Sequence, residues 1–177
     1  MALVRPRTNA VLYALLGTVC AASDLISKHL VFRWRGNPIQ HNEWWIVEGF
    51  FGVETSLNNG ALFGMGQGLQ YVFAAMSLVA LSGICWWLFR VNGLDDRWLT
   101  VALALVSGGI IGNLVDRLGL DKLADTPPGY QHAVRDWILF RFGDFTWPNF
   151  NLADSYLVCG AIMLMGHALW LDRHEDK

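Results

Sequence analysis

Asp24 and Lys28 stand four positions apart inside a run that is otherwise apolar from about Thr8 to Phe32. Asn113, Asp116 and Arg117 close another such run, and Asn151 and Asp154 open a further one. An ionisable group in apolar surroundings is costly unless it is paired or faces a polar cavity, so each needs a reason. Asp24 and Lys28 share a helix face with the acid first, the favourable order for an ion pair, and Lys28 is expected to snorkel toward the interface. Asp116 beside Arg117 reads as a local charge pair, although the guanidinium fork also suits a carbonyl or carboxylate. Asp154 opens a helix, where the dipole favours a carboxylate, and simple capping explains it equally well.

Asp136 sits among Val134, Trp137 and Ile138, just ahead of the helix that Asp154 opens. Two carboxyls drawn together in a partly dry site cannot both ionise, so they share one proton. One can then take a proton from water while the other protonates a carbonyl or a leaving amine. Asp121 and Asp144 are rival partners from the same segment, and spacing does not separate them from Asp136. The five histidines (His29, His41, His132, His167, His174) lack ligand spacing, so no metal or other cofactor is expected. Cys20, Cys85 and Cys159 lie in apolar stretches without a CxxC and read as buried hydrophobes. Neither a Gly-x-Ser-x-Gly nor a phosphate loop is present.

The elements that must position these groups are membrane spans. Of 177 residues, 54% are apolar and only 16% charged, and the net charge of −2 with no basic run points away from nucleic acid. Four stretches reach the ~20 residues that cross a bilayer: about 8–32, 69–89, 98–115 and 152–171. Trp34, Trp86, Trp87, Trp98 and Trp170 lie near their ends as interfacial anchors. Arg5 and Arg7 ahead of an apolar run resemble a signal peptide, but the run continues past Asp24, too far for a signal core, so a retained anchor is expected. Two long connections, about 34–68 and 118–150, fall on one side. Basic residues are denser in the short segments (Arg5, Arg7, Arg90, Arg97, Arg173, Lys177), which places both termini in the cytoplasm and the long loops outside. Alternating helix directions then bring all three polar clusters to the outer level, with His167 alone near the inner end. The expectation is a single all-α membrane domain whose small β element lies in the first outer loop, at Trp44–Val47 and Phe50–Leu57.

These residues also resemble a known family in order along most of the chain. Asp24-Leu-Ile-Ser-Lys28, Asn58-Asn-Gly60-Ala61-Leu62-Phe63, Gly108-Gly109-Ile-Ile-Gly112-Asn113-Leu-Val-Asp116-Arg117, Val134-Arg-Asp136-Trp137 and Phe150-Asn151-Leu-Ala153-Asp154-Ser155 are similar to the five motifs of the lipoprotein signal peptidases, signal peptidase II. That resemblance implies a four-span aspartyl peptidase of the bacterial cytoplasmic membrane. It would cut just before the diacylglyceryl-modified cysteine of a prolipoprotein, as a monomer among membrane lipids. It implies Asp136 and Asp154 as the catalytic pair, and Asn58, Gly60, Asn113, Arg117 and Asn151 as groups that bind or orient. Asp24, Lys28 and Asp116 become structural support. Two departures from the family pattern matter. Asp116 and Asp136 are 20 positions apart, about twice the family spacing, owing to an insertion around Leu120 to His132. Trp137 replaces the usual Phe, and Leu25 and Leu62 are minor changes.

Two other classes are weighed beside this. A transporter with a proton relay needs ionisable groups through the whole membrane depth, and the inner half offers little beyond His167. A catalytically inactive relative would bind lipidated peptides without cutting them.

Overall fold

The computed structural model describes residues 4–38, 43–60, 66, 68–90 and 93–175. Among these described residues, four helices are long and apolar enough to cross a membrane. They are α1 (Val4–Arg35), α2 (Gln70–Arg90), α3 (Arg97–Arg117) and α4 (Leu152–Glu175). α1 stops where Gly36 takes a φ of 79° and donates its N–H to the Phe32 carbonyl, a left-handed terminus that glycine adopts without strain. α3 starts at Asp96, whose side chain accepts from the Leu99 N–H at 3.0 Å.

α3 is the central post of the bundle, and glycines let its neighbours approach. A Cβ at Gly108 would lie 2.5 Å from the Cys20 Cβ of α1, and one at Gly109 would lie 2.5 Å from the Ala153 carbonyl oxygen of α4. Gly160 of α4 returns the contact, since a Cβ there would come within 2.6 Å of Val106 Cγ2. Lipid tails offer no hydrophobic drive between helices, so close backbone packing of small residues holds such bundles together. The outward faces carry exposed Val11, Leu15 and Val19 on α1, Met76 and Val79 on α2, and Ile162 and Met165 on α4, as surfaces bathed by acyl chains should.

The remaining order corrects the expectation of an all-α chain. The sheet has four antiparallel strands in the order β1 (Trp44–Val47), β2 (Phe51–Asn58), β3 (Val134–Phe142) and β4 (Phe145–Phe150). The two strands expected in the first long connection are present, but β3 and β4 come from the second. β3 pairs with β2, so both long connections meet at one end of the bundle. β3 escapes a period-two reading because its first residues, Val134, Arg135 and Asp136, are all buried against the helices. Aromatic residues then knit the sheet, with Phe140 stacked against Phe51 at 4.8 Å.

Candidate active site

Five elements deliver polar side chains to the end of the bundle under the sheet. Lys28 is the hub. It does not snorkel: its side chain is wholly buried, with the ammonium 2.7 Å from Asp24, 3.0 Å from Asp116 and 2.9 Å from the Asn113 Oδ1 it donates to. Three N–H bonds therefore meet three acceptors. Asp24 also accepts from the Ala153 N–H at 2.9 Å, which ties α1 to the start of α4. Gly112 makes that possible, because a Cβ there would collide with the Asp24 carboxyl.

Lys28 can only donate, so it fixes the orientation of the Asn113 amide. The Asn113 Nδ2 is thereby aimed at Asp154, donating to Oδ1 at 2.8 Å. Asn151 is fully buried and caps α4: its Oδ1 accepts from the Asp154 N–H at 3.0 Å, while Asp154 Oδ2 accepts from the Asn151 N–H at 3.2 Å. This reciprocal pairing is a capping box, so the capping reason for Asp154 holds. It occupies one oxygen and leaves the other facing Asn113. The Asn151 Nδ2 donates to Asp136 Oδ1 at 2.6 Å and to Asn113 Oδ1 at 3.0 Å. Asp136 Oδ2 accepts from the Asn58 Nδ2 at 3.2 Å.

Asp136 and Asp154 thus lie on either side of one asparagine. Asp136 is 2% exposed; burial first, and then the charge of Asp154, pushes its carboxyl up to about 8, against the opposing pull of Lys28, Asn58 and Asn151. It keeps its proton at neutral pH.

Arg117 turns away from its neighbour Asp116, so the expected local pair is replaced by longer reaches. Its Nη2 donates to the Gly60 carbonyl at 3.0 Å and its guanidinium lies 4.9 Å from the Phe73 ring centroid. The Gly60 N–H donates to Asn58 Oδ1 at 2.9 Å, closing a tight turn that aims Asn58 at Asp136. Ala61, Leu62 and Phe63 of that motif lie outside the described residues. The rival acids go elsewhere: Asp121 pairs with Arg135, and Asp144 is exposed at the β3–β4 turn. His167 bonds Asp96 at 2.7 Å, beside the start of α3 at the opposite end of the bundle.

Arg135 is the participant the sequence reading missed. It is 4% exposed, and its Nε donates to Asp116 Oδ1 at 2.8 Å. A guanidinium in an apolar segment beside an acid was the available signal, but its partner stands 19 positions back.

The family model described as signal peptidase (SPase) II matches residues 16–170. The chain belongs to the signal peptidase II family. It is therefore an aspartic-type peptidase of the membrane. A lipoprotein signal peptidase of Rhodopirellula baltica is 49% identical over 161 residues, covering 90% of this chain and 72% of that one. Another from Bacillus pumilus is 33% identical over 165 residues, covering 93% and 96%. A bacterial membrane enzyme solved by the in meso method at 2.3 Å superposes with a TM-score of 0.76 at 22% identity, over 94% of this chain and 92% of that one, and so shares the fold. The segment between α3 and β3, which the resemblance marks as longer than the family pattern, is tied back to the first connection. The Asn37 Nδ2 donates to the Asp125 carbonyl at 2.9 Å and the Asn59 Nδ2 to the Gly129 carbonyl at 3.2 Å.

Proposed function

We propose that this signal peptidase II removes the signal peptide of diacylglyceryl-modified prolipoproteins, cutting just before the lipidated cysteine, with Asp136 and Asp154 as its proton-sharing pair. The observation that carries this is the Asn151 bridge: one residue bonds both carboxyls, and the more buried of them is held protonated up to about pH 8. The Asp154 carboxylate, oriented by Asn113 and the Asn151 N–H, takes a proton from the attacking water. Asp136 gives its proton to the scissile carbonyl, which becomes a tetrahedral diol. Collapse of the diol passes a proton to the leaving amine and restores the pair. Arg117 Nη1, buried and without a partner among the described residues, is placed to hold a substrate backbone carbonyl together with Asn58. Asp24, Lys28 and Asp116 keep the three helices in register beneath.

The enzyme sits in the bacterial cytoplasmic membrane with both termini inside and works as a monomer. Its sheet end faces outward, where the scissile bond meets water while acyl chains stay in lipid. Arg90 and Arg97 flank the short α2–α3 turn at the opposite end, as cytoplasmic segments do. The test is cleavage of a diacylglyceryl-cysteine peptide by purified protein in lipid. Asp136→Asn and Asp154→Asn should each abolish turnover with normal expression. Near-normal processing by either variant refutes the pair, and substrate binding without turnover by the unmodified protein would mark a catalytically inactive relative.

A further inference from the structure

We infer that Arg135 is a positioning residue for Asp136, and that the inserted segment between α3 and β3 holds it in place through Asp121. The proposal rests on the reading of Asp136 as one half of the proton-sharing pair. Successive strand side chains point to opposite faces. Asp136 turns toward Asn58 and Asn151, while Arg135 turns the other way and is gripped by two acids. Its Nη2 lies 2.7 Å from Asp116 Oδ1 and 2.9 Å from Asp121 Oδ2. Its backbone N–H donates to Asp116 Oδ2 at 3.1 Å, so one carboxylate holds both the main chain and the side chain of the residue preceding Asp136.

The ladder holds Asp136 from one side only. Its partner on β2 is Ser56, immediately after a register shift between Val53 and Ser56, and β4 pairing begins only at Ile138. The clamp compensates where the sheet is slack. Asp121 reaches it because the inserted segment is bound at both ends: the Gly119 N–H donates to the Asp116 carbonyl at 2.8 Å, and His132 Nδ1 lies 3.0 Å from the Arg117 carbonyl. His29 faces Asp121 from α1 at 3.5 Å. The extra length of chain, which from spacing alone looks like a threat to Asp136, becomes a strap that fastens it.

The test uses the full chain in lipid, with kcat normalised to folded protein and KM and melting midpoint measured separately. Arg135→Lys keeps the charge but loses the fork; kcat should fall about 10–100-fold with KM within about twofold, as misplacement of a reacting group does. Asp121→Asn, on a half-exposed segment that should not endanger folding, should lower kcat about 3–10-fold. The double variant should be no worse than Arg135→Lys, because both act on one contact. Lys122→Ala, exposed in the same segment, should match the unmodified enzyme. Wild-type kcat in Asp121→Asn, independent adding of the two losses, or kcat per folded molecule unchanged in Arg135→Lys would each overturn the strap. Asp136→Asn and Asp154→Asn run alongside. If either turns over normally, the pair falls and the strap with it; if both are dead while Arg135→Lys is normal, only the strap falls.

Discussion

Asp136→Asn should separate chemistry from stability, because the site holds a proton that the unfolded chain would release. An unfolded aspartate loses its proton near pH 4, whereas folded Asp136 keeps it to about 8. Between those values the unfolded state binds fewer protons, so stability falls as pH rises. One pH unit is worth ~1.4 kcal/mol, so neutralisation costs the fold about 4 kcal/mol by pH 7. Asparagine removes this cost but brings an NH2 against the donating amide of either Asn58 or Asn151, a pH-independent loss of ~1–3 kcal/mol. The difference in stability between variant and parent should therefore swing toward the variant by ~3 kcal/mol from pH 5 to pH 7. For a chain of this size that is ~6–12 °C in melting midpoint. Tryptophan-fluorescence melting in matched detergent reads it. An inactive Asp136→Asn protein that grows relatively more stable with pH is the expected result. A difference that stays flat between pH 5 and 7 would refute the claim that the folded site stores a proton on Asp136.

Turnover itself should fall about tenfold per pH unit above about pH 8, where Asp136 loses the proton it must donate; a pH–rate profile still level at pH 9.5 contradicts this. Lys28→Met strands the buried Asp24 carboxylate and leaves Asp116 to Arg135 alone, and should cost ~3–5 kcal/mol, seen as lost yield and a lowered midpoint. Gly109→Leu should block docking of α4 on α3 and abolish the folded protein, since even a Cβ there would lie 2.5 Å from the Ala153 carbonyl oxygen. Gly83→Ala, with nothing within 4 Å, should be neutral or stabilising by up to ~1 kcal/mol when measured by the same melt.

The helices were legible because a span is a composition statement: twenty apolar residues leave few alternatives. The polar clusters were legible for the complementary reason, that charge inside such a run is expensive. β1 and β2 announced themselves through the runs Trp44–Val47 and Phe50–Leu57. β3 did not, because half of it is pressed under the bundle and lost the alternation a surface strand keeps. The role of Arg135 was hidden for a related reason: its partners Asp116 and Asp121 come near only in the folded chain. Lys28 was misread because snorkelling is the cheaper outcome for a lone lysine, and the sequence did not reveal that three acceptors would surround it.

The sheet is stitched from distant stretches of chain, and this sets an order of birth. Asn58 sits opposite Val134, a pairing that waits for the second long connection, and Asp24 meets the Ala153 N–H, a contact that cannot close until the last helix enters the bilayer. A nascent chain with three helices inserted has its membrane anchor but no Asn151 bridge. On the proposed mechanism, hydrolytic competence therefore arrives only with the final span.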